Sequence, residues 1–387
     1  MSTKHQILFY PVGNGDTSQI ILSNKRRILM DYRHQLKGED PTSPVIDLKA
    51  RLKKELKDAG RDNFDVVVFT HADSDHISGS TDFFELNHAL KYQGNGRIKI
   101  DELWVPAAMV IEHVCRDQQS DEFAILRREA QHRLLEGKGI RVFSKPPALA
   151  ELLERKLKER GEAATARDHL IVDAGTIVSG FTLEKDGVEF FCHSPFIKHC
   201  PDGDVVRNDA SLIFNIRFEA EGNRYDYLAV GDAEWSVLED IVSTTRYHGN
   251  DDRLAWDLFN VPHHCSYLAL SDTKGDNETE PKPLVKDLLL MGKRQAYEVV
   301  SSRPIEKDKD AYLQIQPPHV QAYNTYQRYL DKVGGRRILV TMETPNKKHP
   351  EPLVFDVTYG GVSWIRSAVV GATALAAAAP VRAGKSV

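Results

Sequence analysis

Cysteine is scarce: the 387 residues contain only Cys115, Cys192, Cys200 and Cys265, no two of them at the spacing of a zinc knuckle or a redox motif. That excludes a disulfide scaffold, and a chain of this length needs no such staple to bury a core. The thiols read as reduced, in a reducing compartment. Long apolar runs are missing as well. The longest, Ala368 to Ala379, is about twelve residues rich in Ala, well short of the roughly 20 that span a bilayer. Met1 to Gln6 leads into a strand-like segment with no apolar signal core, so the expectation is a cytoplasmic chain with no membrane association. Excess positive charge is absent too: 51 Lys and Arg against 56 Asp and Glu give a net charge of -5. Proteins that grip duplex nucleic acid by bulk charge are basic. Any polyanion must therefore be held locally, by a small basic patch or by metal ions. The sequence shows no short-period repeat and no Ser-His-Asp triad, and Gly13-Asn14-Gly15 lacks the Lys of a phosphate-binding loop.

What is present is a globular composition, 41% hydrophobic and 28% charged. Apolar and β-branched runs predict strands at 7–12, 17–22 and 27–32 around a glycine turn. Ile46, Leu48, Leu52 and Leu56 recur at helical spacing and predict a helix over 45–59. The nearly continuous run Phe64 to Thr70 reads as a strand buried on both faces. A strand at 98–105 precedes a helix-rich region from 110 to about 170, and β patterns return at 181–183, 188–192, 211–218 and 227–230. The polar stretch 271–283 reads as mobile. A strand at 299–301, a helix at 320–332 and strands at 337–342 and 353–357 complete the pattern. It implies an α/β fold, a four-layer αββα sandwich of two mixed β-sheets flanked by helices. One domain is expected over 1–367, with a helical insertion at about 110–170 and a disordered Ala-rich tail at 368–387.

The sharpest chemical signal follows the buried strand: Thr70-His71-Ala72-Asp73-Ser74-Asp75-His76. Loops at the C-terminal ends of strands are where α/β sheets place ligands. Four ligand-type side chains within six residues can offer His71 and Asp73 to one metal ion, and Asp75 and His76 to a neighbour.

This HxDxDH run resembles the HxHxDH motif of the metallo-β-lactamase-fold hydrolases, and the likeness extends over nearly all of residues 6–366. Val12-Gly13-Asn14-Gly15-Asp16 followed by Ile28-Leu29-Met30-Asp31 is similar to the opening of the ComEC-type branch, named for bacterial DNA-uptake proteins. Gly231-Asp232-Ala233-Glu234 matches that branch's GDAE segment, and Pro262-His263-His264-Cys265-Ser266 its PHHGS segment. Asn208-Asp209-Ala210-Ser211 resembles its Asn-rich strand start and Pro318-His319 its late His.

The resemblance implies two divalent ions, Zn²⁺ or Mn²⁺, held by His71, Asp73, Asp75, His76, Asp209, Asp232 and His264. Asp232 is the bridging candidate, since a pair of ions roughly 3.5–4 Å apart needs a shared oxygen ligand. One of His263 and His264 completes the second ion and the other orients or protonates the substrate, with His264 preferred as the ligand. The superfamily's remaining ligand of the first ion is a His; here Asp209, beside the strand at 211–218, is preferred over His199 in a loop. Asp16 and Asp31 are expected to orient ligands rather than to ligate. Asp75, His263 and His319 are the candidate catalytic groups, His319 through a substrate phosphate. Two departures stand out. Asp73 replaces a His, which makes the site harder and shifts preference from zinc towards Mn²⁺. Cys265 replaces a Gly, which implies strain if the turn needs a positive φ.

Two ions set against three or four aspartates and one hydroxide leave a near-neutral site that a phosphodiester can approach. The expected function is a metal-dependent hydrolase, a phosphodiesterase or nuclease in which the ions supply hydroxide at neutral pH. Its partner would be a nucleic acid or another phosphodiester, with a further protein partner also conceivable. The membrane helices and separate DNA-binding module of the uptake proteins have no counterpart here. The alternatives are a hydrolase of a carboxylic ester, thioester, lactone or lactam, and a non-catalytic metal-binding regulatory subunit.

Overall fold

The structure is a computed structural model that describes residues 3–111, 121–200 and 208–366; Cys115 and the tail at 368–387 lie outside the described residues. Strands β1 (His5–Phe9), β2 (Ser18–Ile21), β3 (Arg27–Met30), β4 (Asn63–Val68), β5 (Lys99–Pro106), β6 (Ile140–Phe143) and β7 (Ile171–Val172) lie side by side in a first sheet. At its β1 edge stand β14 (Leu353–Thr358) and then β15 (Gly361–Ile365). The second sheet runs β13 (Arg337–Val340), β12 (Gly292–Val300), β11 (Trp256–Asn260), β10 (Asn223–Val230), β9 (Ile213–Ala220), β8 (Val188–Ser194). Both sheets are mixed. From β15 to β3 neighbours pair antiparallel and from β3 to β7 parallel. Likewise β10 to β13 are parallel, whereas β8 and β9 run antiparallel to their neighbours.

Helices α1 (Leu48–Asp58), α2 (Ser74–Ile77), α3 (Ser80–Phe83), α4 (Ala107–Ile111), α5 (Asp121–Glu136) and α6 (Pro147–Glu159) send apolar residues into a core against the first sheet. After the short α7 (Leu183–Asp186), helices α8 (Trp235–Tyr247), α9 (Pro283–Leu290), α10 (Lys309–Leu313) and α11 (Val320–Lys332) follow. Of these, α8, α9 and α11 pack on the outer face of the second sheet. Strand alternation builds the middle. Val66 and Val68 of β4 face the second sheet while Val67 faces the helices; Tyr227 and Ala229 of β10 face inward while Leu228 and Val230 face out. Three apolar cores separated by two sheets are the four-layer αββα sandwich that the pattern predicted.

Local expectations fared unevenly. The segment expected to be a helical insertion also contributes β6 and β7, which extend the first sheet, with Ile140 beside Leu103 and Ile171 beside Val142. The expected strand at 181–183 instead leads into α7, because the Thr182 hydroxyl accepts from the Lys185 N–H and caps that helix. The polar stretch 271–283 is tied to α11: the Thr279 N–H donates to Thr325 Oγ1 at 3.1 Å, and the Thr325 hydroxyl donates to the Thr279 carbonyl at 2.7 Å. Among the described residues no helix is long and apolar enough to cross a membrane.

One buried group breaks the apolar pattern. Glu298 sits on the helix-covered face of β12 between Ala296 and Val300, fully buried, with neither carboxyl oxygen hydrogen bonded. Burial, with the Asp331 charge adding to it, holds its carboxyl well above the usual range. A carboxyl raised on folding binds its proton more tightly in the native state, so its stabilising effect is complete below the unfolded value near ~4.3 and is lost as pH rises through the folded value. Glu298→Gln, a neutral isostere, is therefore expected to flatten that limb. Urea denaturation across pH should show the wild-type protein losing up to about 1.4 kcal/mol per unit relative to the variant inside this window. Parallel pH curves for the two proteins would refute a raised carboxyl at 298.

Candidate metal centre

The C-terminal ends of the parallel strands of both sheets meet at one place. Asp31 follows β3, His71 follows β4, Asp232 follows β10, His263 and His264 follow β11, and Ser301 follows β12. Asp16 arrives from the turn between β1 and β2. This is the edge at which open α/β sheets bind ligands, here supplied by two sheets at once.

Asp232 stands at the middle. Its Oδ1 is 3.3 Å from His76 Nε2, and its Oδ2 is 3.3 Å from His264 Nε2 and 3.9 Å from His71 Nε2. His264 Nε2 is also 3.2 Å from Asp75 Oδ2, and His71 Nε2 is 3.8 Å from Asp73 Oδ2. Asp16, His76, Asp232 and His264 each offer one ligand atom, all within 4.8 Å of one another. The imidazoles and Asp232 are sealed off, whereas the side chains of Asp73 and Asp75 are 36% and 31% exposed and form the mouth. Of the residues expected to bind metal, the structure thus gathers His71, Asp73, Asp75, His76, Asp232 and His264.

Each ring is aimed by its other nitrogen. His76 Nδ1 donates to Asp31 Oδ2 at 2.8 Å, and His264 Nδ1 donates to the Ser301 carbonyl at 2.9 Å. His71 Nδ1 lies 3.1 Å from the Thr70 hydroxyl, which itself donates to Asp31 Oδ2 at 2.6 Å. Asp31 is thus hydrogen bonded to His76 directly and linked to His71 through Thr70. The consequence is that His71, His76 and His264 all present a buried Nε2 with no hydrogen-bond partner, as does Asp232 with Oδ1. Buried polar atoms left unpaired are costly and need an occupant. Three imidazole nitrogens and surrounding carboxylates are a donor set suited to a divalent cation, so the residues present fit the metal ions that the sequence implied.

Electrostatics agree. Burial opposes charge on every group here, yet Asp232 and Asp31 push His76 well above the usual imidazole value, and Asp232 with Asp75 lifts His264 to about 10. The same partners hold Asp232 and Asp75 low against their own burial. His71 goes the other way, lowered by burial and by the neighbouring His76. Burial raises Asp16.

Other expected residues lie elsewhere. Asp209 stands in the fields of His199 and Asp240, and His199 Nε2 is 2.9 Å from Asp240 Oδ2. Neither Asp209 nor His199 belongs to the four-residue group around Asp232. His263 is half-buried beside Glu234, with its Nδ1 unpartnered, and also stands outside that group. His319 is not brought to the centre with a free ring atom. Its Nε2 donates to the Ile315 carbonyl at 3.0 Å and its Nδ1 accepts from the Tyr267 N–H at 3.3 Å. The expected phosphate contact gives way to a loop tie, because backbone groups occupy both nitrogens. Asp16, expected to orient ligands, places a carboxylate oxygen within 4.8 Å of the ligand atoms of His76, Asp232 and His264, a proximity that a lone Asp after two glycines does not signal in sequence.

The turn at 263–265 confirms the expected strain. His263, His264 and Cys265 have φ of 51°, 52° and 68°, so the cysteine stands in a backbone conformation that favours glycine. Left-handed conformation costs a non-glycine residue roughly 1–2 kcal/mol.

Coordination must displace the protons on His76 and His264. Titration of the metal-free protein with Zn²⁺ at pH 7 is expected to release protons, read by calorimetry in buffers of differing ionisation enthalpy, and affinity should strengthen as pH rises. Asp31→Asn should weaken binding about 10–100-fold by loosening His76. Binding without proton release would contradict the assignment of these imidazoles as ligands.

No family model and no curated protein matches the chain. Solved structures do. Zn²⁺-bound PqqB from Methylobacterium extorquens is 10% identical with a TM-score of 0.34, over 90% of this chain and 99% of that one. A diphosphatase of the PhnP family is 11% identical with a TM-score of 0.33, over 92% and 100%. The metallo-β-lactamase GOB-18 from Elizabethkingia meningoseptica is 14% identical with a TM-score of 0.30, over 84% and 89%. Likeness this distant carries no chemistry from those proteins to this chain.

Proposed function

We propose that this chain is a metal-dependent hydrolase of phosphate esters, a phosphodiesterase or nuclease. The observation that carries the reading is the set of buried, unpartnered ring nitrogens of His71, His76 and His264 around Asp232. His76, Asp232 and His264, with Asp16 and Asp75 at hand, would hold one divalent ion, and His71 and Asp73 would contribute to a second. Such ions supply Lewis acidity towards phosphoryl oxygen and a nucleophilic oxygen at neutral pH.

The chain's own residues do the rest. Asp31 and the Ser301 carbonyl fix the rings of His76 and His264, so no ligand has to reorganise during reaction. Burial of the imidazoles limits the water around them, and the partly exposed side chains of Asp73 and Asp75 stand beside them. His263, half-buried and beside Glu234, is the imidazole available to pass a proton to the leaving-group oxygen. The ligand aspartates would balance the ions' charge, which lets a phosphodiester anion approach.

A panel of bis-p-nitrophenyl phosphate, single-stranded DNA, duplex DNA, RNA and a chromogenic lactam, each with Mn²⁺ or Zn²⁺, tests this. Turnover of at least one phosphodiester is expected. Asp232→Ala should abolish it with the circular dichroism spectrum unchanged, and His263→Gln should lower kcat by about 100-fold. Cleavage of the lactam alone would overturn the reading, as would metal binding without turnover of anything on the panel.

A further inference from the structure

We propose that Arg33 and Arg303 form an anion clamp at the rim of the metal centre, and that the preferred substrates carry a second phosphate next to the reacting one. The proposal rests on the phosphate-ester reading above and names its substrate class.

Arg33 follows β3, where its backbone N–H donates to the Thr17 hydroxyl at 3.0 Å. Its guanidinium stands in the fields of Asp75, Asp16 and Arg303. The Nη1 atom is nonetheless buried and without a hydrogen-bond partner. Gly15 explains how it gets there. With φ of 142°, Gly15 lies so close that a Cβ would stand 2.5 Å from the Asp75 carbonyl oxygen and 2.6 Å from Arg33 Nη1, and nearer still to Arg33 Cδ. Only a residue without a side chain lets the guanidinium lie against the backbone of a metal-ligand candidate.

Arg303 comes from the far end of the chain and is fixed to the same turn. Its N–H donates to Asn14 Oδ1 at 2.9 Å, its Nη2 donates to the Pro317 carbonyl at 3.3 Å, and Asn14 Nδ2 donates to that carbonyl at 2.6 Å. Two guanidinium groups are therefore held near one another, one sunk beside Asp75 and one exposed to solvent. Neighbouring cations repel, and an anion placed between them removes that repulsion. The fork of an arginine suits phosphate oxygens in particular. Arg303 is the more exposed of the two, so the natural partner for it is the next phosphate of a substrate that extends towards solvent. Oligonucleotides and nucleoside polyphosphates share that chemistry.

The test compares wild-type protein, Arg33→Lys and Arg303→Gln with Mn²⁺ on three probes: bis-p-nitrophenyl phosphate, a thymidine tetranucleotide and ATP. Arg303 is exposed, so its variant keeps the fold, and melting curves check this. On whichever of the two longer probes is cleaved, Arg303→Gln should raise KM about tenfold and leave kcat within about twofold. On bis-p-nitrophenyl phosphate it should change neither. Arg33→Lys keeps the charge but loses the fork of the inner arginine, and should raise KM on the longer probe by more than on bis-p-nitrophenyl phosphate. Pyrophosphate binding by calorimetry gives a second readout without turnover: Arg303→Gln should weaken it about tenfold and leave orthophosphate unaffected. Equal losses on all probes, or unchanged pyrophosphate affinity, overturn the clamp. If the wild-type protein cleaves no phosphate ester, the reading of function fails separately, and the pyrophosphate measurement still decides the clamp.

Discussion

The Asp31 carboxylate accepts three hydrogen bonds, from the Thr70 N–H, the Thr70 hydroxyl and His76 Nδ1, and the geometry of the centre depends on it. Through Thr70 it reaches His71, and through His76 it reaches Asp232. Asp31 itself is held by its own N–H on the Val68 carbonyl and adopts a φ of 57°, a conformation a short acidic side chain tolerates better than most. A single buried acid thus converts the pairing of β3 with β4 into the orientation of two imidazoles. Losing it would leave the fold's apolar cores untouched and the rings free to turn.

Such a centre is held against the protein's own stability. Desolvating several carboxylates and imidazoles costs free energy that their mutual attraction recovers only in part, and the unpaired Nε2 atoms add to the deficit. The three apolar cores supply the excess that makes this tolerable. Glu298 is a different case. Its charge adds to burial in raising the Cys265 thiol, while burial and the Asp331 charge raise its own carboxyl, which has no hydrogen-bond partner.

Much of this was legible in the sequence, for reasons that can be stated. The run Thr70 to His76 compresses ligands into one loop, and a buried strand before it fixes which end of the sheet they occupy. Asp232 and His264 were legible only through resemblance, since nothing local ties a lone Asp to a His pair. The half-polar strand β12 was recognised only at its apolar end, because Gln295 and its neighbours are exposed and break the alternation. Strands β6 and β11 are each broken by a charged residue, Arg141 and Asp257, so neither shows the continuous apolar run that marks β3 and β13. Asp16, the clustering of Asp209 with His199, and the spent nitrogens of His319 are facts of tertiary contact. So is the approach of Arg33 to Arg303, which are separated by most of the chain.

The strain at His263, His264 and Cys265 belongs to the same logic. Three consecutive left-handed residues persist only where the surroundings over-determine them. Here the His263 N–H is held by the Gly231 carbonyl, the Ser266 N–H by the His263 carbonyl and His264 Nδ1 by the Ser301 carbonyl, while the Cys265 thiol is buried in the outer core. Those anchors follow β10, β11 and β12, three neighbouring parallel strands of the second sheet. The first sheet orients His71 and His76 through Asp31; the second fixes Asp232 and His264 through this turn. Neither sheet carries a complete donor set. The centre exists only where the packed middle core brings both edges into register, so the donor set needs both sheets.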